Sequence, residues 1–170
     1  MKFSFYCVLV LFFNFALALG LHADEKKSKD EEEQTQTMPT ISYEVLLEGT
    51  FSGIKEPLQK VITTNQEWED LWKKHVSVIV PQPPVPEVDF ENYVVAAIYQ
   101  GEKNKGGYQV LLKQVEPQGK DIIVHYKLVE PPENSFTLSV LTQPFILVKL
   151  PKPEGTVQLT QQQVTETKKK

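Results

Sequence analysis

The chain predicts an α+β fold: a mainly antiparallel β-sheet or sandwich of about six to eight strands with one amphipathic α-helix packed on it. Three observations carry this. Apolar and polar residues alternate in Tyr43-Glu44-Val45-Leu46-Leu47-Glu48 and in Val124-His125-Tyr126-Lys127-Leu128, the period of strands with one wet face. Tyr93 to Tyr99 is apolar throughout and rich in β-branched residues, as a central strand buried on both faces must be. A single helical stripe, with a marked start, interrupts the strand pattern.

In chain order, a strand is expected over Tyr43 to Glu48 and a shorter one near Gln59 to Thr63. The helix follows, with Thr64 as its N-cap and Glu67, three residues on, completing a capping box. Trp68, Leu71, Trp72 and His75 then recur at i, i+3, i+4 and i+7, which places both indoles on one face against an open sheet. Burying Trp68, Leu71 and Trp72 contributes on the order of 6 to 9 kcal/mol before entropy costs, so this stripe is the structural anchor. The run Pro81-Gln82-Pro83-Pro84-Val85-Pro86 then reads as a stiff extended surface crossing, with a docking ligand for an aromatic groove as the alternative.

After the central strand, further strands are expected over Val110 to Val115, Ile122 to Val129 and Phe145 to Leu150. Pro117-Gln118-Gly119-Lys120 is a turn that makes the first two of these a hairpin. Between Tyr99 and Val110 lies a short polar loop holding Lys103, Asn104, Lys105, Gly106, Gly107 and Tyr108. It reads as a hairpin tip. Glycine takes φ > 0 without a Cβ clash, so the pair lets the backbone turn sharply or approach a partner closely, and Tyr108 sets an amphipathic ring beside it. These six residues form the candidate binding loop.

The ends differ from this domain. Residues 1–18 carry Lys2, an apolar run from Phe3 to Phe15, and Ala16-Leu17-Ala18, the pattern of a secretory signal peptide. The run is short for a membrane span, which needs about 20 residues. Residues 19–40 read as a disordered acidic and polar spacer: from Asp24 to Thr40 they include Glu31-Glu32-Glu33 and only Met38 as a large apolar side chain. One domain of 113 residues is expected from Ile41 to Pro153. Residues 154–170, ending in Lys168-Lys169-Lys170, read as a polar flexible tail, in which Thr156-Val157-Gln158-Leu159 is long enough for a short edge strand.

Composition removes several functions. The only cysteine, Cys7, lies in the signal run, so the exported chain has no disulfide, thiol nucleophile or cysteine metal site. Without Lys2, 17 basic and 22 acidic side chains leave a formal charge of −5, and every basic residue except histidine is lysine. An acidic chain without arginine's planar fork argues against nucleic acid as a partner. His75 and His125 stand alone in the domain, without a second ligand at metal spacing, so no metal and no cofactor is expected. Ser52-Gly53 and Ser135 lack a nucleophile elbow or a histidine partner, and Asp89 and Glu91 fit a turn before the central strand better than a catalytic carboxylate pair. The chain is therefore expected not to be an enzyme.

Several segments resemble the PrcB C-terminal domain family, named for the small subunit of a surface protease complex. They are Ser52-Gly53-Ile54, Val61-Ile62, the Glu67-Trp68-Leu71-Trp72 helix, Val88-Asp89-Phe90 leading into the apolar strand, Gly101, and Gly106-Gly107-Tyr108. Pro131-Pro132 and Thr142-Gln143-Pro144-Phe145 complete the order, over roughly 100 residues from Ser52 to Leu150. The resemblance implies a non-catalytic exported domain whose partner is a protein, a protease in some members. Two departures stand out: Asn104-Lys105 where the family commonly has Pro-Thr before the glycines, and no lipid-attachment cysteine, which implies a soluble periplasmic or secreted form without a membrane span. Immunoglobulin-like inhibitors of cysteine proteases also present glycine-bearing loops from a β-sandwich, an analogy of architecture. The alternative is a structural envelope protein with no protease link, tethered by its spacer and tail.

Overall fold

The structure, a computed structural model, describes residues 41–162. The signal peptide, the acidic spacer and the terminal lysines fall outside the described residues. Among the described residues, seven strands and one α-helix form three layers: β1 (Glu44–Gly49), β2 (Leu58–Ile62), α1 (Asn65–His75), β3 (Tyr93–Tyr99), β4 (Gln109–Gln118), β5 (Asp121–Val129), β6 (Phe145–Pro151) and β7 (Val157–Gln161). A four-stranded antiparallel sheet has the order β1-β6-β3-β2, and a three-stranded sheet has the order β4-β5-β7. The α+β expectation, mainly antiparallel with one packed helix, is met.

The apolar β3 lies inside the four-stranded sheet because both its faces have something to bury. Val95, Ala97 and Tyr99 join Ile62, Phe145 and Leu147 under the helix, with Trp68, Leu71 and Trp72 above them. Val94, Ala96 and Ile98 join Ile146, Val148 and Leu150 on the opposite face, against Val110, Ile122, Val124 and Tyr126 of the second sheet. The alternation of side chains along a strand thus feeds two cores.

The helix starts as its sequence dictates. Thr64 has extended backbone angles, its hydroxyl accepts from Glu67 N at 3.3 Å, and the Glu67 carboxylate accepts from Thr63 N at 3.2 Å, satisfying two otherwise free donors. Trp68, Leu71, Trp72 and His75 are all buried. The β4–β5 hairpin turns at Gly119-Lys120, where Gly119 takes φ +63°.

Two sequence expectations need correction. The loop after Tyr99 is not a hairpin tip. β3 is already flanked by β2 and β6, so the chain leaving it has no free edge to fold back on and crosses to the other sheet, where β4 pairs with β5. The ordered domain also continues past Pro153: the anticipated edge segment forms β7, parallel to β5, with Val157 and Leu159 packed against the inter-sheet core.

Candidate functional site

The crossover between the sheets holds the six candidate residues and is fixed at several points. Gly101 opens it at φ +78°, so close to Pro57 that a Cβ would stand 2.9 Å from the proline ring. Glu102 N donates to Lys55 O at 2.7 Å, and the Glu102 carboxylate accepts from Gln143 Nε2 at 2.9 Å. Lys103 and Thr142 exchange backbone hydrogen bonds of 2.7 and 2.9 Å. Gly106 N donates to Leu138 O at 2.9 Å, and the Thr142 hydroxyl donates to Lys105 O at 3.2 Å. The loop is therefore a two-segment platform, formed with residues 138–143.

The paired glycines have separate roles. Gly107 takes φ +91°, and a Cβ there would lie 2.9 Å from Pro131 Cβ, so the Pro131-Pro132 turn and this glycine interlock. Gly106 has room for a side chain, its nearest neighbour atom being 3.8 Å from a built Cβ. Tyr108 is half-buried, and the ammonium groups of Lys103 and Lys105 lie 5.2 and 5.9 Å from its ring centroid. Neither lysine has a carboxylate partner among the described ion pairs.

Beside this cluster Phe136 is fully exposed, and Leu138 and Leu141 are 80% and 57% exposed. Val140 is exposed with them. These apolar side chains form an exposed patch on a segment held by backbone bonds. Sequence reasoning placed the loop and missed most of this apolar rim, because Phe136-Thr137-Leu138-Ser139-Val140 alternates like an ordinary half-buried strand.

The structural anchor residues are where the helical stripe put them. Trp68 and Trp72 are 2% and 6% exposed, their rings tilted against each other with centroids 5.5 Å apart. Trp72 packs on His75, and His75 meets Phe145 edge-on at 4.5 Å. Burial pushes His75 down to about 4 and raises Tyr99, whose hydroxyl shares a 3.2 Å hydrogen bond with His75 Nδ1. These two groups face the core. His125 bonds Glu116 of the neighbouring strand at 2.8 Å. Asp89 closes its turn, its carboxyl accepting from Asn92 Nδ2 and Glu91 N and held below its usual range chiefly by the Asn92 bond. Among the described residues no group of three or more histidines, cysteines or carboxylates is placed to hold a metal ion, and no helix is long and apolar enough to cross a membrane.

Comparison with known proteins gives a family match. The family model described as PrcB C-terminal covers residues 94–151, from β3 through β6, and so includes both segments of the platform. The sequence resemblance is borne out over that stretch, while the Ser52-Gly53-Ile54 turn and the tryptophan helix precede it. Neither the curated proteins nor the solved structures give a significant match to the chain.

Proposed function

We propose, from the PrcB C-terminal match over residues 94–151, that this chain is an exported, non-catalytic binding domain serving as accessory subunit or inhibitor-like partner of an extracellular or periplasmic protease. Its contact face is the platform of residues 103–108 and 136–142. The observation that carries the reading is the exposure of Phe136, Leu138 and Leu141 on a segment tied to the loop by the Gly106–Leu138 and Lys103–Thr142 bonds. Preformed apolar anchors rimmed by Tyr108 and two lysines suit protein recognition, because little side-chain or loop ordering remains to oppose association.

Pull-down from envelope extract tests this, using wild type, Tyr108→Ala and the Phe136→Ser/Leu138→Ser double variant, with proteolytic activity measured in each eluate. Wild type recovers a protease and both variants lose it. Equal recovery by all three removes the platform from the interaction. Recovery of no protease by any of them favours the structural envelope protein.

A further inference from the structure

A free strand edge lies outside the matched residues, at β2. No strand pairs with β2 on the side away from β3 among the described residues. The ends of this edge are closed: Lys55 O accepts from Glu102 N at 2.7 Å, and Thr63 N donates to Glu67 Oε2 at 3.2 Å. Between them Gln59, Lys60 and Val61 have no backbone partner from another loop. Beside this edge, over Leu58 and Lys60 on the helix-facing side of β2, lies a cleft of about 880 Å³, walled by α1 on one side and the Gly53–Leu58 segment on the other. Its apolar lining comes from Ile54, Pro57, Leu58 and Leu71.

We propose that this cleft receives an extended acidic peptide, which adds to β2 as a further strand. An edge strand beside a helix supplies both parts of this recognition mode: main-chain donors and acceptors for the peptide backbone, and a wall against which alternate side chains lie. The volume of the cleft lies within the range of pockets that hold small ligands. Charge selects the occupant. Lys73 and Lys74 line the helix wall and have no carboxylate partner among the described ion pairs. Of the acidic lining groups, Glu67 is engaged by Lys60 at 2.8 Å and Asp70 by Gln66 at 3.2 Å, while Glu56 has no such bond. A peptide placing an apolar side chain over Leu58 and Leu71 and a carboxylate toward Lys73 and Lys74 meets both features.

Fluorescence anisotropy with labelled hexapeptides of alternating valine and threonine tests the proposal in the full chain. One probe ends in aspartate and one in lysine, and two copies of the aspartate probe are N-methylated at alternate positions, one in each register. The aspartate probe binds with Kd below about 1 mM. One N-methylated register loses binding and the other keeps it, because a strand turns alternate amides toward its neighbour. The Lys73→Glu/Lys74→Glu variant, altered at exposed helix positions, weakens the aspartate probe about tenfold and does not weaken the lysine probe. Hydrogen exchange slows, only when peptide is present, at those amides among Gln59 to Val61 that point away from β3, and Tyr108→Ala changes none of this, which separates the cleft from the platform. No binding near 1 mM, equal affinity of both N-methylated registers, or protection of these amides by self-association without peptide overturns the proposal.

Discussion

Trp68 Nε1 donates to the carbonyl oxygen of Pro86 at 2.8 Å, across 18 residues of chain, and Trp72 Nε1 reaches Pro83 O at 3.2 Å. The proline run is thereby joined to the helix it follows. Prolines lack an amide donor but keep the carbonyl, and their extended conformation turns acceptors outward at intervals that two indoles one helical turn apart reach. Each buried indole N–H finds a partner without the sheet supplying one. The stiff crossing expected from the sequence is thus part of the core's hydrogen-bonding account, and its carbonyls at Pro83 and Pro86 are not free for a groove on another protein.

Trp68→Phe keeps a six-membered apolar ring but removes the pyrrole ring with its donor, leaving Pro86 O without its bond. A loss of about 1 to 3 kcal/mol follows, with a smaller loss for Trp72→Phe, whose longer bond reaches a carbonyl on the exposed Pro83. Urea titration followed by far-ultraviolet circular dichroism measures both. Equal effects would mean that ring volume, not the indole N–H, sets the cost.

The glycine pair separates cleanly. Gly107→Ala forces a side chain into a positive-φ position 2.9 Å from Pro131 Cβ, which costs about 1 to 3 kcal/mol. Gly106→Ala meets only ordinary van der Waals contacts, the nearest at 3.8 Å, and changes stability by less than about 1 kcal/mol. Thermal melting distinguishes them, and the expected order reverses if the platform is held by Gly106 instead.

Acid sensitivity is expected from His75. Its folded-state pKa of about 4 lies below the ordinary 6.5, so the unfolded chain binds a proton that the buried imidazole does not. Stability is complete above pH 6.5 and falls as pH drops toward 4, by about 3 kcal/mol in all. Glu67 and Asp89, both held below their usual carboxylate values, act in the same direction at lower pH, where they protonate. Urea midpoints at pH 7, 6 and 5 show the slope, and His75→Leu flattens it while lowering stability at pH 7, because the Tyr99 hydroxyl then loses its partner. A slope unchanged in that variant would assign the effect to carboxylates alone.

Local signals carried most of the fold. The capping box at Thr64 and Glu67, the 3.6-residue stripe ending at His75 and the two-faced β3 each rest on neighbours in sequence, and each is found in place. The destination of the loop after Tyr99 depends on which edges of β3 are already occupied by β2 and β6, a long-range fact that no window around Lys103 to Tyr108 contains. The platform shows the same division. Gly106 and Gly107 were legible as turn residues, but Leu138 becomes the partner of Gly106, and Thr142 that of Lys103 and Lys105, only through hydrogen bonds across more than 30 residues. The edge strand in the tail was legible only as a short segment, because polar Gln158 and Thr160 alternate with Val157 and Leu159 and the pairing that orders them comes from β5.

β7 gives the last prediction. Asp121 Oδ1 accepts from Thr156 N at 2.6 Å and from the Thr156 hydroxyl at 3.0 Å, and Ile122 N donates to Thr156 O at 2.9 Å, so the start of β5 fastens the start of β7. Gly155 passes so close that a Cβ there would stand 2.3 Å from the same Asp121 oxygen. Asp121→Ala therefore loosens β7 selectively: amide exchange accelerates over Val157 to Gln161 while β3 and β6 keep their protection, at a global cost of about 1 to 3 kcal/mol. Truncation after Pro153 removes the half-buried Val157 and Leu159 from the inter-sheet core and lowers stability by about 2 to 3 kcal/mol, where a free tail would cost nothing. A truncated chain as stable as the full one would return residues 154–170 to the status of a tail and leave β5 as the edge of its sheet.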